Sequence, residues 1–194
     1  KTYLQIKEHP FKQIYVEDKN LYQKLKKDAR VVFHFPRVMT EFESFEPNCM
    51  VGELGSIAYY HPFYSDFSLN VTNSYTVAFL HSMGVKCVTL SLELNIQQID
   101  TMVSAYQKRY HKNPNLEYFL TSTPEVMISK FKLPSYHQAA SDLTMKDHKN
   151  HQFIVQENHN FTRIYYQKEK LEIPPKTLFE HSISTICMTD FDDY

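Results

Sequence analysis

Five residues of this sequence have types and places suited to binding and orienting a polar ligand: Arg37, Asp66, Asn70, Asn73 and Glu93. A cation, two carboxylates and two amides offer charge and both hydrogen-bond roles within one small region. Arg37 follows the apolar run "VVFHF". Asp66, Asn70 and Asn73 fall in "DFSLNVTNS", and Glu93 closes "VTLSLE" just before Asn95. Thr121, Ser122 and Thr123 follow "LEYFL" in the same manner. Each set sits at the end of a strand-like run. Other uses compete for the same residues. Asn73 or Thr72 suits the N-cap of the helix that follows. Asp66 lies inside a strand-like segment, as a hydrogen-bonded core carboxylate or as a site residue. Arg37 and Glu93 can form an ordinary ion pair. The catalytic residues, if there are any, stay unknown from residue types alone.

Other chemistries find little support. No GxSxG, HExxH or local Cys–His signature occurs. Only Gly52, Gly55 and Gly84 are available, too few for a phosphate-cradling loop or a Rossmann site. Cys49, Cys87 and Cys187 are far apart and odd in number, without a CxxC pair. They read as buried thiols in a reducing compartment. His137, His148, His151 and His159 gather in the second half, but His148 and His151 fall on a predicted hairpin turn rather than one helical face. They read as solvated, and no metal site is expected. The sequons at Asn70 and Asn160 read as chance matches.

The elements that must position these residues alternate. "QIYVE", "RVVFHF", "CMVGEL", "FYSDFSL", "KCVTLSLEL" and "NLEYFLTST" read as strands. Between them, "DKNLYQKLKKDA", "ELGSIAYY", "NSYTVAFLHSM" and "IQQIDTMVSAYQKRY" read as helices. In the last, Ile96, Ile99, Met102, Val103 and Tyr106 share a face and Asn95 suits the cap. Repeated strand–helix units imply parallel pairing, in a barrel or a doubly wound sheet, with ligands at the strands' C-terminal ends. From about Phe131 the pattern changes. "LTMKDHKNHQFIVQ" reads as a hairpin turning at Asp147 to Asn150, "TRIYYQKEKLEI" as a strand, "KTLFEHS" as a short helix and "ISTICMTDF" as a last strand. The expected fold is α/β: part of a TIM-barrel-like (β/α) core over 1–125, then a mixed or antiparallel β-rich segment over 126–194 packed on the same domain.

The net charge of -1 gives no global field to recruit nucleic acid. No DNA partner is expected. "QKLKKDAR" and "YQKRYHK" are local basic stretches able to touch RNA, though on helices they serve first as solvated faces. There is no apolar run of about 18 residues and no basic-then-apolar leader, so a cytoplasmic chain with no membrane partner is expected.

"FHFPRV", "GELGSI", "DFSLNVTNS" and "GVKCVTLSLELN" follow one another with the order and spacing of the collagenase-like peptidase family, peptidase family U thirty-two, which the chain resembles. "LTMKDHKNHQFIVQ" resembles that family's "LKDRKGxxFPV" hairpin, and "NFTRIYY" its "CRTxIYN". The resemblance implies a barrel-related α/β core lacking the usual N-terminal units. It implies either a collagenase-like peptidase or a place in hydroxylation, of RNA, such as 5-hydroxyuridine formation in bacterial tRNA, or of ubiquinone without oxygen. The hydroxylation members of the family carry a four-cysteine iron–sulfur site. Here "ISKFKLPSYHQAASDLTMKD" has no cysteine, and the cysteine before the family's "RTxIY" is replaced by Asn160. Thiolates hold such clusters. The resemblance therefore implies a member that binds no cluster itself. It would act as a partner or substrate-binding component beside a cysteine-bearing paralogue, with tRNA as substrate. The alternatives are a peptidase and a non-enzymatic binding scaffold. The family's turn glycine is Asn150, which also tolerates a left-handed backbone.

Overall fold

The computed structural model describes residues 10–38, 48–120, 123–133, 142–157, 161–167 and 173–188. Thr121, Ser122, His137, His159 and Asn160 lie outside them. The chain divides into two compact units, residues 1–119 with 178–185, and residues 120–177 with 186–194.

The first unit is built on a parallel sheet in which chain order and spatial order coincide: β1 (Ile14–Val16), β2 (Val31–His34), β3 (Cys49–Val51), β4 (Tyr64–Ser65), β5 (Cys87–Thr89) and β6 (Leu116–Leu120). A doubly wound sheet reverses its order at a switch point. These six strands do not, and the order is consistent with part of a TIM-like core. β3 and β5 are apolar or small and buried at every position, as strands covered on both faces must be.

Among the described residues, four helices connect the strands, each started by a side chain that accepts an otherwise orphaned amide. α1 (Lys19–Leu25) is capped by Asp18 and α2 (Leu54–Tyr60) by Glu53. α3 (Ser74–Ser82) is capped by Asn73, and α4 (Ile96–Tyr110) by Asn95 in a capping box with Gln98. Ile99, Met102, Val103 and Tyr106 of α4 are buried, as their spacing predicts. After α3 the chain turns at Gly84 with φ +97°, a left-handed stop that glycine adopts without cost.

The sheet is curled. In a flat sheet β1 and β6 would lie about 24 Å apart at ~4.8 Å per strand. Instead the Tyr15 hydroxyl of β1 donates to Glu117 Oε2 of β6 at 2.9 Å. The side chains between them therefore face one concave interior.

Two strands are shorter than expected. "FYSDFSL" keeps only Tyr64–Ser65 as strand, because Asp66 caps a 3-10 turn over Phe67–Leu69. "KCVTLSLEL" keeps only Cys87–Thr89. Asp66 is thus a capping residue past a strand end, not an interior strand residue.

The second unit is an antiparallel sheet ordered β7 (Glu125–Ser129), β10 (Thr162–Tyr166), β9 (Gln152–Glu157) and β8 (Asp142–Lys146). Val155, Phe161 and Ile164 are among its buried residues. The β8–β9 hairpin turns where predicted. Asp147 Oδ1 accepts the amides of Lys149 and His151, and Asn150 takes φ 65°. β7 was not anticipated. Val126 and Met127 are both exposed, so the strand lacks the alternation that reveals a half-buried one. The last elements are α5 (Pro175–Glu180) and β11 (Thr185–Met188), as expected, and β11 lies next to β6 as the seventh strand of the first sheet.

Candidate functional site

The interior of the curled sheet is polar at the strands' C-terminal ends. His34 is the last residue of β2, Asp66 follows β4 directly, and Thr89 ends β5. Glu117 lies in β6 opposite Thr89 in register. Asp66 is 6% exposed and Glu117 1%, so both need partners. Glu117 accepts from the Thr89 hydroxyl and the Tyr15 hydroxyl, each at 2.9 Å. Asp66 accepts from the Phe67 amide at 2.7 Å and the Ser68 hydroxyl at 2.8 Å. His34 stands between carboxylates, with Nε2 3.6 Å from Asp66 Oδ2 and Nδ1 3.5 Å from Glu17 Oε1.

These surroundings push the two buried carboxyls apart. Burial raises Glu117 more than its two hydroxyl donors lower it, and the Asp66 charge adds to the rise. Burial also works to raise Asp66. The hydrogen bond and charge of His34, with the Ser68 and Phe67 donors, together outweigh it and hold Asp66 below the usual carboxylate range. One carboxyl thus favours the proton and the other gives it up. That is the pattern of an acid and a base sharing one site.

The approach of Ser68 to Asp66 needs Gly52. A Cβ there would stand 2.2 Å from Ser68 Oγ and 3.1 Å from Asp66 Oδ2. The Ser68 hydroxyl also reaches the Gly52 carbonyl, at 3.1 Å.

The rim residues divide. Asn70 ends the 3-10 turn with φ 50° and bonds through its amide oxygen to the Ser91 hydroxyl. The Glu93 amide donates to that same Ser91 Oγ at 3.2 Å. Asp66, Asn70 and Glu93 are therefore linked through the 3-10 turn and Ser91, with the Glu93 side chain exposed. Asn73 is drawn into capping, accepting from the amides of Tyr75 at 3.1 Å and Thr76 at 2.9 Å. Arg37 is half-buried, three residues past the end of β2.

Sequence reasoning missed Tyr15, His34, Thr89 and Glu117. A signal for two of them was present. His34 in "VVFHF" and Glu117 in "NLEYFL" are single titratable residues inside apolar strands, which carry a cost unless they are partnered or used.

Burial pushes the Cys49 thiol up to about 12. Burial, aided by the charge of Glu117, pushes Cys87 up to about 12. Both favour the neutral thiol in the folded chain. Three cysteines in the whole chain also fall one short of a four-thiolate set.

His151, one of the histidines weighed as a metal ligand, pairs with Asp147 at 2.8 Å on the exposed hairpin turn. Among the described residues, no helix is long and apolar enough to cross a membrane.

Residues 56–147 match the model of Peptidase family U32. No curated protein matches the chain, and no solved structure does.

Proposed function

We propose that this chain, which belongs to peptidase family U32 through residues 56–147, is a substrate-binding component of bacterial tRNA wobble-uridine hydroxylation that works beside a cysteine-bearing paralogue. The curled parallel sheet is, on this reading, part of a TIM-like barrel, and the chain is cytoplasmic. One observation carries the proposal. The strand-end interior keeps a partnered set of titratable and hydroxyl groups, while Cys49 and Cys87, on neighbouring parts of the sheet, are buried and shifted toward the neutral thiol. Such an interior can bind and orient a polar ligand and move a proton, but it holds no thiolate set for redox chemistry. Deleting the gene and measuring tRNA nucleosides by mass spectrometry tests the role. Loss or sharp reduction of 5-hydroxyuridine is expected. An unchanged level overturns the reading.

The opposed shifts of Asp66, lowered, and Glu117, raised, favour a second reading, a peptidase as the family's description says. A general base beside a general acid is what metal-free hydrolysis of an amide by water requires. On that reading Asp66 draws the proton from water and Glu117 supplies one to the departing nitrogen. Purified protein that cleaves gelatin, and loses this on Glu117→Gln, would support the peptidase. Absence of cleavage across peptide substrates would set it aside.

A further inference from the structure

Basic and acidic residues are nearly balanced over the whole chain, 21 against 22. They are not evenly placed. The stretches 67–92 and 101–116 contain no Asp or Glu, yet carry Lys86, Lys108, Arg109 and Lys112. Folding brings these stretches together, because α3 packs against α4. All four cations are exposed, as is His111 at the end of α4. An exposed arginine in a balanced chain ordinarily meets a carboxylate. Arg109 meets a ring instead. Its guanidinium lies 3.9 Å above the centre of Tyr75, and its Nη1 donates to Ser74 Oγ at 2.9 Å. Tyr75 is 64% exposed, and Phe79, one turn further along α3, is 50% exposed. Lys86 is placed alike, 3.3 Å from the centre of the Phe63 ring.

Held cations, exposed rings and no acid from either segment suit a polyanion that also presents flat π-faces. An unpaired polynucleotide has both: phosphates for Lys108, Lys112 and Lys86, and bases to stack on aromatic rings or guanidinium planes. An acidic peptide would answer the charge but not the rings. We propose that the α3–α4 face around Tyr75, Phe79 and Arg109 binds a single-stranded RNA segment. The choice of RNA over DNA rests on the tRNA reading above; the surface itself does not. The interaction is by stacking and phosphate contact, so it is tolerant of base sequence.

Fluorescence anisotropy of the full chain with a labelled oligouridine of about ten nucleotides tests this directly. Tyr75→Ala is expected to weaken binding about ten-fold, as is Arg109→Gln. Lys108→Gln with Lys112→Gln is expected to flatten the salt dependence, by about 0.7 in logarithmic slope per lost phosphate contact. Circular dichroism checks that each variant folds, and Arg109→Lys separates loss of the guanidinium plane from loss of charge. The proposal is overturned if wild type fails to bind at low salt. It is equally overturned if Tyr75→Ala binds as wild type does, or if polyglutamate or a duplex competes as well as the single strand. Should the oligouridine bind as expected while gene deletion leaves tRNA 5-hydroxyuridine unchanged, the surface stands and the hydroxylation role falls.

Discussion

Asp66 and Glu117 face the same interior, and their surroundings fix opposite signs of pH dependence. Glu117 is raised in the folded chain, so its contribution to stability is full in acid and is lost as pH rises through its folded value. Asp66 is lowered, so its contribution is present above the ordinary carboxylate range and is lost as pH falls. Glu117→Gln cannot ionise and should therefore gain on wild type as pH rises above the ordinary carboxylate range. Asp66→Asn should lose about 1–3 kcal/mol near neutrality, the cost of breaking a buried charged network, and its deficit should shrink below about pH 4. Urea unfolding of both variants across pH checks the two slopes. Slopes parallel to wild type would refute the assignment. At this scale the sequence was half legible. Asp66 is visible in "DFSLNVTNS", but the partner that sets its charge, His34, lies 32 positions earlier in another strand.

At the scale of elements, caps and turns explain where the sequence reading held. Asn73 caps α3 as its position suggested, accepting two amides. Asn73→Ala should cost about 1 kcal/mol, read as a lowered thermal midpoint, and Asn73→Ser should restore most of it. A site role for the Asn73 amide would show instead as loss of activity at unchanged stability. The same turn chemistry explains the errors. Asp66 and Asn70 begin and end a 3-10 turn, so apolar residues that look like a continuing strand, Phe67 and Leu69, lie in the turn instead. Gly52 belongs to this scale too. Gly52→Ala should drive the Ser68 hydroxyl off Asp66, since the new Cβ would stand 2.2 Å from Ser68 Oγ. The variant should lose stability at neutral pH and show the weakened acid dependence of Asp66→Asn.

At the scale of the whole molecule, alternation of strand and helix was legible because its period is local. The curl was not. It brings Tyr15 within hydrogen-bond distance of Glu117, 102 positions away, and no local pattern encodes that meeting. β7 escaped for a related reason, since its place is fixed by pairing with β10 and not by its own apolar alternation. The charge-segregated α3–α4 face was visible in part as "YQKRYHK", but Tyr75 joins it only through packing. The proposed partner role belongs to this scale as well. The most direct measurement is anaerobic purification of the protein alone and co-expressed with a cysteine-bearing member of the family, with iron and acid-labile sulfide assayed in both. The account predicts a cluster in the co-purified complex and none in this protein alone. Stoichiometric iron and sulfide in the protein alone would contradict it.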